Sequence, residues 1–250
     1  MNFKQKLASG GPLIGTFLKT PSPMVCELLG RTDLDVICID AEHSPFDRMA
    51  IDQCILALQS VGMPSVVRIP ATSAEHILNA LDCGADGIVA PHIITKTDAD
   101  FIAKKSQFVM GRGYAGSTRA AGYMAKNMQT HKIDSATKTT VIAQIEDVEA
   151  LDNLDEILAT DGIDCFFIGR SDLTISLGLE NPNDPKVIGI VEDICKRAEK
   201  AGKCTGMFTG NLDEIAHWRA LGASLFLLGS DHSFMLGGAK TLTENVRAQF

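Results

Sequence analysis

The chain has 250 residues, of which 45% are hydrophobic and 22% are charged, so it is long enough to bury a full core as one domain. Its formal charge of −8 argues against a surface for nucleic acid or anionic membranes, since both need clustered basic residues. Seven cysteines without paired spacing indicate reduced thiols. The amino terminus lacks the apolar core of a signal peptide, and no apolar run is long enough to cross a bilayer. We therefore expect a cytoplasmic protein.

Short apolar segments typical of buried strands alternate with helical segments along the chain. The predicted strands are 13–17, 36–39, 65–68, 87–90, 141–145, 165–168, 204–208 and 225–229. The clearest helices between them are 49–61, 73–82, 148–158 and 187–201. Eight strand–helix units in a chain of this length predict a (β/α)₈ TIM barrel that forms a single domain over residues 1–250. An open, doubly wound sheet is the alternative, because strand order cannot be read from a sequence.

The segment 91–140, between the fourth and fifth strands, is longer than one helix needs. Within it, Gly-Arg-Gly-Tyr-Ala-Gly at 111–116 matches the dinucleotide-binding pattern letter for letter. That pattern requires a position between the first strand and helix of a βαβ unit, and this segment does not occupy one. We therefore expect a functional loop without a dinucleotide site.

Polar side chains follow several predicted strands at the point where each strand ends. Because the carboxyl ends of parallel strands meet at one rim, we expect these side chains to converge, as they do in α/β enzymes. The main examples are Asp40-Ala41-Glu42-His43 after the second strand, Arg68 at the third, Glu146 at the fifth and Asp172 after the sixth.

Each of these side chains has a functional and a structural interpretation. Glu146 and Asp172 end adjacent strands, so they can hold a divalent cation or can merely cap the helices that follow. Arg68 can bind a substrate carboxylate or form an ion pair with Asp40 or Glu42.

Histidines and lysines at strand ends suggest which proton-transfer and covalent chemistry is available. His43 is the strongest general acid–base candidate, because its pKa lies near neutrality and it sits among acids. His92 and His232 also follow strands but have fewer polar residues beside them. A lysine that forms a Schiff base would be expected at a strand end inside the barrel. Lys19, after the first strand, is the only lysine in such a position, and arginine rather than lysine follows the sixth strand. We therefore favour metal chemistry over a Schiff base.

Six motifs in this order and spacing resemble the HpcH/HpaI family of metal-dependent pyruvate aldolases, with a likeness that covers residues 10–230. They are Gly15-Thr16-Phe17, Asp40-Ala41-Glu42-His43, Val67-Arg68-Ile69-Pro70, Leu81-Asp82-Cys83-Gly84-Ala85-Asp86-Gly87, Gln144-Ile145-Glu146 and Gly169-Arg170-Ser171-Asp172-Leu173.

The resemblance implies a barrel in which Glu146 and Asp172 bind Mg²⁺, Mn²⁺ or Co²⁺, with the keto and carboxylate oxygens of pyruvate completing the site. It implies that Arg68 stabilises the pyruvate enolate and that His43 acts as the base. Asp82 would raise the basicity of His43. Gln144 and the backbone amides of Ser171 and Asp172 would contact the keto acid.

The expected activity is that of a class II aldolase, which cleaves a 4-hydroxy-2-oxo acid to pyruvate and an aldehyde. One alternative is an acyl-CoA lyase of the malyl-CoA/citryl-CoA type, which would need a larger site. The other is a barrel that binds a keto acid without turning it over. The chain departs from the family pattern at Arg170, where proline is usual, and at 110–117, and both positions fall where the aldehyde should bind.

Two features suggest that more than one subunit is needed. Asp82 ends a helix that should run away from the catalytic rim, so either that helix is short and displaced or a neighbouring subunit brings Asp82 to His43. The alternative role of Asp82 is to cap the turn at Gly84. After the eighth strand, apolar residues recur at spacings of three and four and form one helical face. This face must cover either its own barrel or a partner's, and family resemblance favours exchange of the helix between subunits in a dimer-based hexamer. The apolar face comprises Met235, Ala239, Leu242, Val246 and Phe250.

Overall fold

The computed structural model describes residues 1–250 and forms a closed barrel of eight parallel strands in sequence order. All eight predicted strands are present and differ from the prediction only at their ends. They are β1 (Leu13–Leu18), β2 (Val36–Asp40), β3 (Ser65–Arg68), β4 (Gly87–Ala90), β5 (Thr140–Ile145), β6 (Cys165–Ile168), β7 (Cys204–Phe208) and β8 (Ala223–Ser230).

Pairing of the first strand with the last closes the sheet. Leu13 pairs with Leu225 and Ile14 with Phe226, so neither β1 nor β8 is an edge strand. This pairing excludes the open, doubly wound alternative and confirms the predicted (β/α)₈ barrel.

Helices cover the outside of the barrel. They are α1 (Phe3–Ala8), α2 (Pro23–Leu29), α3 (Arg48–Ser60), α4 (Ala74–Asp82), α5 (Lys96–Lys105), α6 (Met128–Lys138), α7 (Leu154–Leu158), α8 (Arg170–Ser176), α9 (Pro185–Lys200), α10 (Ile215–Ala220) and α11 (Asp231–Arg247). Short 3₁₀ turns occupy Phe108–Met110, Val148–Leu151 and Leu212–Glu214. None of the helices combines the length and the apolarity that a membrane span requires.

Two segments differ in detail from the sequence prediction. The predicted helix 148–158 is divided into a 3₁₀ turn and α7, with Asn153 at φ −102° and ψ 4° between them. The Asn153 side-chain amide donates to the Ile94 carbonyl oxygen at 3.1 Å, and such side-chain bonds compete with a continuous helix. The long segment 91–140, for which the sequence predicted only more chain than one helix needs, contains two helices, α5 and α6.

The apolar core has two layers, one between strands and helices and one inside the barrel. Phe17, Val89 and Phe167 belong to the inner layer, and Phe3 and Leu7 of α1 pack with them. Because α1 precedes β1, these two side chains cover the amino-terminal end of the barrel. The carboxyl ends of the strands therefore surround the open end, where a site can form.

The last helix, α11, packs against its own barrel only at its beginning. Asp231 is buried and accepts hydrogen bonds from the backbone amides of Lys19 and Thr20, whereas Leu242 is 69% exposed and Val246 is 53% exposed. The apolar face of this helix is therefore left uncovered by the chain itself.

Candidate active site

A cavity of about 610 Å³ opens at the carboxyl ends of the strands. Its walls combine three phenylalanines with many polar side chains. Five of the predicted site residues line it, namely His43, Arg68, Gln144, Ser171 and Asp172. The barrel thus brings together residues that lie more than a hundred positions apart in the sequence.

Asp40 is the fully buried carboxylate around which one side of the cavity is built. It is paired with Arg68 in the register of β2 and β3, and it accepts from Arg68 Nε at 2.9 Å and from Lys19 Nζ at 2.7 Å. Burial alone would raise the pKa of Asp40, but the hydrogen bonds and charges of Arg68 and Lys19 outweigh burial and lower it. Asp40 therefore stays ionised and holds both cations in place.

Arg68 forms an ion pair, which is one of the two roles that its sequence position left open. Its guanidinium is ion-paired with Asp40, and it also lines the cavity. The guanidinium carbon lies 4.6 Å from the ring centroid of Phe17, so the side chain is supported on its face as well as at its nitrogen atoms. Such a fixed guanidinium can donate hydrogen bonds to a substrate oxygen without first being reorganised.

Glu42, His92 and Glu146 form a second group, here called the Glu–His–Glu cluster. One ligand atom from each lies within 4.8 Å of the others. The backbone amide of His92 donates to Glu146 Oε1 at 2.9 Å, which ties the end of β4 to the end of β5. Burial raises the pKa of Glu42, and the nearby charge of Glu146 adds to this effect although Arg68 opposes it.

The Glu–His–Glu cluster has the chemistry of a divalent-metal site. Glu42 Oε2 is buried without a hydrogen bond, because the single hydrogen on Arg68 Nε, 3.3 Å away, is donated to Asp40. Two carboxylates held close together repel each other, and a divalent cation between them removes that repulsion. Oxygen donors with one imidazole suit Mg²⁺, Mn²⁺ or Co²⁺. The residues present therefore fit such an ion.

The predicted metal ligands are divided between this cluster and the cavity wall. Glu146 belongs to the Glu–His–Glu cluster, whereas Asp172 lies in the first turn of α8 and lines the cavity. Gln144 donates through Nε2 to Glu146 Oε2, and its own Oε1 has no partner. A Cβ atom at Gly169 would lie 2.7 Å from Glu146 Oε2, so only glycine allows β6 to end this close to Glu146.

His43 and Asp82, the predicted base and its activator, are not brought together within one chain. His43 lines the cavity with its side chain 54% exposed, and its Nε2 lies 3.7 Å from Glu42 Oε2. Asp82 is the last residue of α4 and does not line the cavity, and it accepts from Arg112 Nη2 at 2.8 Å. Arg112 belongs to the glycine-rich segment, so that segment supports Asp82 and contributes no residue to the cavity.

Four polar residues form a hydrogen-bonded group in the cavity, here called the polar wall: Arg170, Asn183, Asn211 and Glu214. Arg170 donates to Glu214 Oε2 at 2.7 Å and to Asn183 Oδ1 at 2.8 Å. Asn211 Nδ2 donates to Glu214 Oε1 at 3.3 Å. Of the two departures from the family pattern, Arg170 therefore lies in the cavity of one chain, whereas 110–117 does not.

Glu42 and His92 belong to the Glu–His–Glu cluster but were not among the site residues predicted from the sequence. Glu42 stands inside the motif Asp40-Ala41-Glu42-His43, where it was considered only as an ion-pair partner of Arg68. His92 follows Pro91 and has a φ of 55°, the left-handed region that a residue other than glycine rarely adopts. Its position after a strand was a weak signal for the site.

Comparison with known proteins identifies relatives over nearly the whole chain. The sequence model of the HpcH/HpaI aldolase/citrate lyase family matches residues 13–236. A hydroxypyruvate/pyruvate aldolase of Paraburkholderia phytofirmans is 32% identical, over 98% of this chain and 97% of its own. A 5-keto-4-deoxy-D-glucarate aldolase of Shigella boydii is 30% identical, over 99% and 95%.

A solved structure agrees with these sequence matches. The crystal structure of an HpcH/HpaI aldolase/citrate lyase family protein from Burkholderia cenocepacia has a TM-score of 0.92 and 31% identity, covering 98% of both chains. The sequence prediction of an aldolase in this family, a carbon–carbon lyase of the metal-dependent class, is confirmed. On the family match, the curated relatives and the shared barrel, the chain belongs to the HpcH/HpaI aldolase/citrate lyase family.

Proposed function

We propose that the chain, acting as one domain over residues 1–250, cleaves a 4-hydroxy-2-oxo acid to pyruvate and an aldehyde and catalyses the reverse addition. The observation that carries the proposal is the pairing of Arg68 with buried Asp40, 2.9 Å apart, at the rim where the Glu–His–Glu cluster also lies. A fixed cation beside a metal-type site suits a reaction in which negative charge develops on a keto oxygen. The names of the two curated relatives, both aldolases, support the same reaction.

The metal site in this proposal consists of Glu146 and Asp172, with Glu42 and His92 beside them. When bound there, Mg²⁺, Mn²⁺ or Co²⁺ supplies positive charge that stabilises electron-rich oxygen atoms of the keto acid. Gln144 and the backbone amides of Ser171 and Asp172 orient the keto acid next to those side chains.

The proton and electron movements are assigned to His43 and Arg68. In cleavage, His43 accepts the proton of the C4 hydroxyl, directly or through water, and the bond between C3 and C4 breaks. The electron pair of that bond moves to C2–C3, so the C4 fragment leaves as the aldehyde and the C2 oxygen gains charge. Arg68 donates hydrogen bonds to that oxygen. Protonation of C3 then gives pyruvate.

Oligomerisation completes the proposal. The uncovered apolar face of α11 supports a homo-oligomer in which this helix is exchanged between two subunits of a dimer-based hexamer. Asp82 carries one hydrogen bond from Arg112 through Oδ1, which leaves its other oxygen free for a second donor. We assign that donor to His43 of the partner subunit.

Deuterium exchange into the methyl group of pyruvate tests the reaction without knowledge of the aldehyde. We expect exchange that EDTA abolishes and that Mg²⁺, Mn²⁺ or Co²⁺ restores. Borohydride added with pyruvate should leave the protein mass unchanged, because the ammonium group of Lys19 is bound to Asp40 at 2.7 Å.

Three outcomes would contradict the proposal. A lysine adduct trapped by borohydride would replace the metal mechanism with Schiff-base chemistry. Complete absence of exchange with each of the three ions present would indicate a barrel that binds the keto acid without turning it over. Turnover that required coenzyme A would indicate an acyl-CoA lyase.

A further inference from the structure

The polar wall lies in the same cavity as His43 and Arg68 and has no part in the steps assigned to them. Its centre is the ion pair between Arg170 and Glu214, whose closest atoms are 2.7 Å apart and whose side chains are 15% and 20% exposed. Glu214 Oε2 also accepts from the indole nitrogen of buried Trp218 at 3.1 Å, which anchors the pair to α10. The polar wall is therefore held in one arrangement before any substrate enters.

Glu214 is ionised in this arrangement. Burial would raise the pKa of Glu214, but hydrogen bonds from Arg170 and Trp218 outweigh burial, and the pKa is lowered. Its negative charge therefore compensates the positive charge of Arg170 at neutral pH.

The other two cations that line the cavity are compensated in the same way. Lys19 lies 2.7 Å from Asp40, and Arg68 lies 2.9 Å from Asp40 and 3.3 Å from Glu42. Every lysine and arginine that lines the cavity therefore has a carboxylate partner. An aldehyde that carries its own carboxylate would thus meet Glu214 without an uncompensated cation to offset the repulsion.

The cavity lining in and around the polar wall offers several groups that can bind substrate hydroxyls. Asn183 and Asn211 line the cavity together with the hydroxyl groups of Thr209, Ser230 and Ser233. Amide and hydroxyl groups both donate and accept hydrogen bonds, so they can pair with sugar-like hydroxyl groups of either orientation.

We propose that the Arg170–Glu214 pair selects the aldehyde, and that the preferred aldehyde is uncharged and carries hydroxyl groups. The inference rests on the proposed aldolase reaction and names the class of its second substrate.

The test compares three aldehydes as acceptors for pyruvate in the metal-loaded enzyme. They are D-glyceraldehyde, propionaldehyde, which lacks hydroxyl groups, and succinic semialdehyde, which carries a carboxylate. We expect kcat/KM for D-glyceraldehyde to exceed each of the others by about tenfold or more, because unpaired polar groups and uncompensated charge each penalise the wrong aldehyde.

Two variants should move the selectivity in opposite directions. Glu214→Gln keeps an acceptor for Trp218 but frees the charge of Arg170, so the ratio of succinic semialdehyde to D-glyceraldehyde kcat/KM should rise about tenfold. Arg170→Gln leaves Glu214 without its cation, so the same ratio should fall. Asp213→Asn is the matched control: it removes one negative charge beside Glu214 from a residue outside the cavity wall, and the ratio should stay within about twofold of wild type.

Pyruvate exchange measured on the same samples separates this inference from the proposed function. If exchange is present and wild type prefers succinic semialdehyde, or both variants move the ratio the same way, the selectivity inference is wrong and the aldolase stands. If exchange is absent, both proposals fail. If Glu214→Gln does not fold, the aldehyde preference of the wild type and the direction of the Arg170→Gln shift still decide whether the Arg170–Glu214 pair selects the aldehyde.

Discussion

Replacing Arg68 by alanine should damage catalysis and stability by amounts that can be separated. Loss of a fixed donor to a developing oxyanion costs about 2.7–4 kcal/mol, so pyruvate exchange should fall roughly 10²–10³-fold. Asp40 would keep Lys19 as a partner but lose Arg68, whose side chain is 8% exposed. A hydrogen bond to a charged group contributes about 1.5–3 kcal/mol, which lowers the Tm of a domain of this size by roughly 3–12 °C.

Chemical rescue distinguishes the catalytic loss from the structural one. Alanine at this position leaves space for free guanidinium beside Asp40 and Phe17. Millimolar guanidinium chloride should therefore restore part of the exchange in Arg68→Ala, and it should not restore Arg68→Lys, in which the ammonium group still occupies the space.

The matched control is Arg197→Ala, which removes a guanidinium that is paired with Asp155 at 2.7 Å outside the cavity. This variant should keep wild-type exchange and show no response to guanidinium. If Arg68→Ala exchanged deuterium within about threefold of wild type, the role given to Arg68 would be refuted, whatever its Tm.

Three further predictions concern the base and the assembly. His43→Ala should lower exchange by roughly 10²–10⁴-fold with little change in Tm, because the His43 side chain is 54% exposed; near-normal exchange would exclude it as the base. Co-assembled His43→Ala and Asp82→Asn chains should regain exchange that neither variant shows alone, since one kind of subunit pair would contain both groups; no gain would place Asp82 outside the site. Removing residues 234–250 should reduce the molar mass measured by light scattering together with exchange, and an active monomer at both lengths would disprove helix exchange.

Local sequence patterns were sufficient to predict the barrel and to place several polar side chains at its carboxyl-terminal rim. Each strand is a short apolar run, and the acids, Arg68 and His43 stand at the positions where such runs end. Parallel closure then places those ends on one rim regardless of their distance in sequence. The apolar face of α11 was also visible as a periodic pattern, and its burial against a partner stays a prediction, because all residues of 232–250 are exposed in the single chain.

What the sequence could not predict depends on contacts between strand ends. The sequence left open whether Arg68 pairs with Asp40 or with Glu42, and the register of β2 and β3, which no local pattern specifies, places Asp40 opposite Arg68. The Glu–His–Glu cluster needs His92 in the left-handed region so that its amide reaches Glu146. In the polar wall, Asn183 and Asn211 come from loops and Glu214 from a 3₁₀ turn, whose paths are set by their contacts rather than by periodicity.

The residues proposed to handle pyruvate and those of the polar wall share one cavity but lie in largely separate parts of the chain. The side chains proposed to handle pyruvate lie at or before Asp172, whereas three members of the polar wall lie between Asn183 and Glu214. Recombination or drift confined to residues 183–214 would therefore alter three of the side chains proposed to select the aldehyde while the residues proposed to handle pyruvate are inherited intact. A barrel arranged in this way can diversify its products by altering a small, contiguous part of its gene.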